Sequence, residues 1–123
     1  MGVAIRTEVE AGTGILRVTL TGDLPSLDEM VKERARLIVA GQLKDDTMEL
    51  VDIRGLTGAL PNLDQARAIL VALGRPPCKR AFLAGSQAQY EIGKMVEPLL
   101  PDSLRVFKDE TAARAWLCSK LGA

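Results

Sequence analysis

Val3, Ile5, Thr7 and Val9 alternate with Ala4, Arg6, Glu8 and Glu10 at the start of the chain. A period of two is that of a strand with one wet face, so an edge strand is expected here. The alternation resumes as Leu16, Val18 and Leu20 against Arg17, Thr19 and Thr21, and the link Ala11-Gly12-Thr13-Gly14 between the two runs predicts an antiparallel hairpin. From Ser26 the period lengthens. Leu27, Met30, Val31, Ala35 and Ile38 recur at helical steps, Ser26 with Glu29 has the form of a capping box, and the helix should close near Gly41.

Residues 48–53 read as a strand. Asn62 with Gln65 opens a second helix carrying Leu63, Ala66, Ile69, Leu70 and Leu73, which Gly74 and the pair Pro76-Pro77 end. Residues 80–85 contain Ala-Phe-Leu-Ala, apolar without alternation, as in a strand covered on both faces; they are the best candidate for a central strand. Ser86 with Gln89 suggests another capping box, opening a third helix through Tyr90, Met95 and Val96 that Pro98 and Pro101 stop. A strand at 104–108 precedes a last helix, which begins after Asp109 and should bury Ala113, Trp116, Leu117 and Leu121.

The order β-β-α-β-α-β-α-β-α, with right-handed crossovers, predicts an α/β fold. It has one open mixed sheet of about five strands, mostly parallel with the first strand antiparallel, and about four helices. With 123 residues and no linker or repeat, residues 1–123 are expected to form a single domain. Aromatics are only 3% of the residues, so the core has to be built from aliphatic side chains and base stacking has almost no candidates. Sixteen acidic residues balance sixteen basic ones without a long block of like charge, which argues against nucleic acid or an anionic membrane surface as partner. Residues 1–9 lack the pattern of a secretory signal, and no run approaches the roughly 18 apolar residues of a membrane span. A cytoplasmic protein is expected, with Cys78 and Cys118 as reduced core residues rather than a disulfide.

There is no histidine, which removes Ser-His and Cys-His nucleophile pairs, most zinc sites and the usual neutral-pH base; no catalytic residue, metal or cofactor is expected. Asp52, set among Leu50, Val51 and Ile53, is the most suggestive acid, although a carboxylate bonded to loop N–H groups is the plainer reading. Gly12-Thr13-Gly14 lies between two strands and so is a turn, not a dinucleotide loop. Gly85 and Ser86 join a covered strand to a helix N-terminus, where free N–H groups gather for an anion or for simple capping. The loop 54–61, Arg54-Gly55-Leu56-Thr57-Gly58-Ala59-Leu60-Pro61, lies at the carboxyl end of a strand, where open α/β sheets bind ligands. Two glycines there allow unusual backbone angles, and Arg54 and Thr57 reach a phosphate or carboxylate. The following helix holds Ile69-Leu70-Val71-Ala72-Leu73, apolar around most of its circumference, which asks for cover from neighbouring helices, a partner or a second subunit in a homodimer.

From Leu50-Val51-Asp52-Ile53-Arg54-Gly55-Leu56-Thr57 the chain resembles the STAS domains, the anti-sigma-factor-antagonist fold, and within them the SpoIIAA-like, STAS/SEC14-type branch. Leu20-Thr21-Gly22-Asp23-Leu24, 105–110 and 112–117 add to the likeness, as does the element order. The resemblance implies a non-enzymatic module, often regulatory, that binds a partner protein or a small ligand. It also implies a phosphorylatable serine at the start of the helix after this strand, but those positions fall here at Leu60 and Pro61, with Asn62 next, and carry no hydroxyl. The leading expectation is a binding module whose surface is loop 54–61 with the following helix, using Asp52, Arg54, Gly55, Thr57, Gly58, Asn62, Gly85 and Ser86. The alternative is a carrier or sensor of a small apolar or anionic ligand, such as a lipid, held between the sheet and the apolar helices. A third reading is an enzyme working through Asp52, Lys79 or Thr57.

Overall fold

The protein, as a computed structural model, is described over residues 3–74 and 77–119. The elements run β1 (Val3–Val9), β2 (Leu16–Gly22), α1 (Leu27–Val39), β3 (Met48–Leu56), α2 (Leu63–Leu73), β4 (Lys79–Leu83), α3 (Gln87–Val96), a 3-10 turn (Glu97–Leu99), β5 (Leu104–Phe107) and α4 (Glu110–Cys118). The strands lie in sequence order in one sheet, β1 antiparallel to β2 and the other three pairs parallel. The middle strand is β3, and β4 beside it, the strand near 80–85, is an interior strand covered on both faces as expected. Both are covered on two faces, so continuous apolar character could not tell them apart. The hairpin turns through Gly12 and Gly14 at φ +87° and +72°, a region that favours glycine.

Alternation along the strands divides the core in two. On one face Ile15, Leu50, Ala81 and Leu83 pack against Ala113 and Leu117 of α4, with Phe107 and Trp116 at the border. On the other face Leu16, Val18, Leu20 and Val51 meet Leu37 of α1 and Leu43, and farther along Ala66 and Leu70 of α2 and Val96 of α3 join Leu104. The two layers differ in closeness. Helix α4 lies directly on β3, β4 and β5, whereas α1 makes its main approach to α2, and α2 to α1 and α3.

The predicted helix starts hold. Ser26 and Asn62 each form a reciprocal capping box, whose hydrogen bonds stabilise a helix end by about 1 kcal/mol. At Ser86 the box is only half made: Ser86 Oγ accepts from the Gln89 N–H, but Gln89 turns its Oε1 to the Gly85 N–H, 2.8 Å away. The stripe expected on α1 is rotated. Leu27, Val31 and Ile38 are exposed, while Met30, Arg34 and Leu37 face the sheet, because α1 covers the sheet's edge and packs sideways on α2. Strand β3 runs three residues past 53, since Thr21 pairs with Gly55 and Gly22 with Leu56 after a register shift in β2. Both cysteines are free thiols, but neither belongs to the core: Cys78 is half-buried and Cys118, one step beyond the buried Leu117, is exposed. Pro76 and Leu121 lie outside the described residues.

Candidate functional site: an apolar cavity and the loop at its rim

Because α1 and α2 stand off the sheet, the face they cover contains a cavity of about 170 Å³. Val18, Leu20, Val51 and Phe82 form its floor, and Met30, Leu37, Ile69, Leu70 and Ile92 its roof. For scale, an engineered cavity of about 150 Å³ with such walls stays dry and takes up benzene. Among the few polar side chains on its walls, Glu49 and Arg80 are paired across β3 and β4, where they are register partners. Arg80 Nε donates to Glu49 Oε1 at 2.5 Å, and their side chains are 5% and 8% exposed.

The sequence-selected residues do not gather around this cavity. Asp52 and Arg54 point to the opposite face, into a network that reaches across the chain. Arg54 donates to Asp52 through Nε (3.0 Å), Nη2 (2.8 Å) and its backbone N–H (3.0 Å), and Arg17 Nη2 donates to the same carboxylate at 2.9 Å. Arg17 also donates to Glu110 (3.0 Å), Arg114 to Glu110 (2.9 Å), and Arg114 to both oxygens of Glu10 at 2.7 Å. Burial pushes the Asp52 carboxyl up, but the Arg54 hydrogen bonds and the charges of Arg54 and Arg17 outweigh it and hold the group below its ordinary range. The hydrogen bond from Arg114 holds Glu10 down at about 2, and those from Arg17 and then Arg114 lower Glu110. With both oxygens committed and its ionised form favoured, Asp52 has no proton to exchange near neutral pH.

The glycines are required for room, not for backbone angle, since neither Gly55 nor Gly58 has a positive φ. A Cβ at Gly55 would stand 2.7 Å from Thr21 Cγ2; one at Gly58 would collide with the Asp23 carboxylate; and one at Gly85 would stand 3.0 Å from Arg54 Cβ. Thr57 is exposed and ties the loop down only through its N–H, which donates to Gly22 O at 2.8 Å. Asn62 and Ser86 spend their side chains on helix caps. Loop 54–61 thus crosses the carboxyl edge of the sheet: Arg54 belongs to the ionic face, while Leu56, Leu60 and Pro61 line the cavity. Leu60 and Pro61, at the positions the resemblance assigns to a phosphorylatable pair, are turned to that apolar space.

Lys79, weighed earlier as a catalytic group, is 2% exposed and occupied. Its ammonium donates to Trp116 O (2.9 Å), Ser119 O (2.8 Å) and Ser119 Oγ (2.9 Å) at the end of α4, 5.0 Å from the Trp116 ring centre. Sequence reasoning did not single out the Glu49–Arg80 pair. Its signal was there: a second acid beside Asp52 in the otherwise apolar run 48–53 and a base at the start of the next covered strand, both expected to be buried.

An open five-stranded sheet, mostly parallel, with α4 alone on one face and α1 to α3 on the other defines the class as SpoIIAA-like. No family model matches the chain, and no curated protein matches it. Among solved structures it is similar to a DUF3478-family protein with a SpoIIAA-like fold from Shewanella loihica PV-4. The two share 21% identity over 95% of this chain and 94% of that one, with a TM-score of 0.64. The fold is therefore SpoIIAA-like, as the resemblance implied. No helix among the described residues is long and apolar enough to cross a membrane.

Proposed function

We propose that residues 1–123 work as one non-enzymatic binding domain that holds a small apolar molecule between the sheet and helices α1 to α3. The cavity carries this reading: it is apolar on nearly all sides, spans about 170 Å³ and is lined in part by Leu56, Leu60 and Pro61 of loop 54–61. Water gains few hydrogen bonds against such walls, so an apolar guest is favoured roughly in proportion to the area it buries. The test is titration with the neutral fluorophore N-phenyl-1-naphthylamine. Saturable one-to-one binding is expected, and it should be lost in Ile69→Trp, whose indole fills the space while the denaturation midpoint is kept or raised. Binding unchanged by Ile69→Trp, or no binding by the native chain, would sink the proposal.

A second reading, recognition of a partner protein through loop 54–61 and α2, is favoured by one observation. Thr57 and Ala59 are exposed on the outer side of the same loop whose Leu60 and Pro61 line the cavity, so a partner there would be in a position to sense whether the cavity is filled. Thr57→Glu with Ala59→Arg should then abolish capture of partners by immobilised protein without altering fluorophore binding. Capture unaffected by the pair would remove the loop from the interface.

A further inference from the structure

The Glu49–Arg80 pair is incompletely used. The Arg80 side chain has one hydrogen bond among the described residues, from Nε to Glu49 Oε1. Neither of its terminal nitrogens is among the fully enclosed atoms that lack a partner, so they retain access to open space, and Arg80 itself lines the cavity. Glu49 Oε2 likewise has no hydrogen bond from the described residues. A guanidinium this deeply buried normally makes several hydrogen bonds, because each N–H taken from water without a partner costs free energy. The cavity therefore presents unmatched donors from Arg80 beside an unmatched acceptor from Glu49, at the end nearer the amino termini of β3 and β4. Of the other polar side chains on the walls, Glu33 is bonded to Thr7 and Arg36 and Gln89 to the backbone of Gly85 and Leu56; apart from these and Arg34 the lining is apolar.

We infer that the guest is an amphiphile with an uncharged head that both donates and accepts hydrogen bonds, an alcohol or a primary amide, seated on Arg80 and Glu49 with its chain along the cavity. This rests on the apolar-guest reading and adds the headgroup to it. Charge decides against an ionised head. The wall's two acids, Glu33 and Glu49, already balance its two bases, Arg34 and Arg80, so a carboxylate would bring a net negative charge into a space with low dielectric and face Glu49, while an alkylammonium would face Arg80. A hydroxyl accepts from an Arg80 terminal nitrogen and donates to Glu49 Oε2, which satisfies both groups and adds no charge. A headless alkane satisfies neither.

Hexyl compounds suit the space, and their binding is read by displacement of N-phenyl-1-naphthylamine at pH 8. Hexanol and hexanamide are expected to bind at least tenfold more tightly than hexane and than hexanoate. Glu49→Gln leaves Arg80 with an uncompensated charge and should reverse the order, so that hexanoate becomes the best ligand and raises the melting temperature of that variant. Arg80→Met with Glu49→Leu, which removes both charges together, should keep fluorophore binding and abolish the advantage of hexanol and hexanamide over hexane, while hexanoate stays the weakest because an apolar wall cannot solvate its charge. Displacement without preference among the heads, a native preference for hexanoate, or an unchanged order in Glu49→Gln overturns the headgroup assignment while leaving an apolar site standing. Failure of the fluorophore itself to bind the native chain overturns the reading beneath it.

Discussion

Gly93 illustrates how a single missing atom sets the distance between layers. It lies on α3 against β5, and a Cβ there would stand 2.6 Å from Val106 Cβ and 2.7 and 2.9 Å from its two methyl groups. Alanine is the better helix former by about 1 kcal/mol, yet overpacking of this kind costs about 1–3 kcal/mol. Gly93→Ala should therefore lower unfolding stability in urea, and Val106→Ala should restore part of the loss when added to it. Independent, additive effects would show that the contact is not the cause. Gly55 follows the same logic on β3 against Thr21, where room rather than backbone freedom makes glycine necessary.

The elements themselves were legible because their signals are local. A period of two marked β1 and β2, capping residues at Ser26, Asn62 and Asp109 marked helix starts, and Gly74 marked a helix end. What depended on distance was not. Strand alternation says nothing of which strand lies next to which, so the order of the sheet could not be read from it. The phase of α1 is set by its packing on α2 and the sheet's edge, so of its expected stripe all but Met30 is exposed. Asp52 and Arg54 stood out as chemistry, but the partners that commit them, Arg17 and Glu110, come from β2 and the start of α4. The cavity was anticipated only as an alternative, since it arises from how far α1 and α2 stand off the strands. Lys79 makes the same point at a helix end: a cation at the carboxyl terminus of α4 meets the negative pole of that helix, and only the fold brings it there.

For the whole molecule, the ionic network ties the hairpin to the last helix: Glu10 closes β1, and Arg114 belongs to α4, 104 positions later. The Glu10 carboxyl titrates near 2 when folded, against an ordinary value of 4.5. A depressed folded value means that its stabilisation is fully present above about pH 4.5 and is lost as the pH falls toward 2. Glu110 and Asp52 are lowered as well and add to the same acid-side loss. Because Glu10 and Arg114 are partly solvated, the pair should contribute about 1 kcal/mol. Glu10→Gln should accordingly be less stable than the native chain at pH 6 and converge with it near pH 2, as measured by chemical denaturation across that interval. A constant gap over the whole interval would show that the pair does not titrate as a folded-state partner.

Trp116 is the chain's one tryptophan, and it is carried by α4, its ring near the Lys79 ammonium and the Arg105 side chain, across the sheet from the cavity. Its indole emission is thus an intrinsic optical marker for the seating of α4 alone. Light from this one ring reports whether the helix has lifted, while events on the far side of the strands stay dark to it and need a dye of their own.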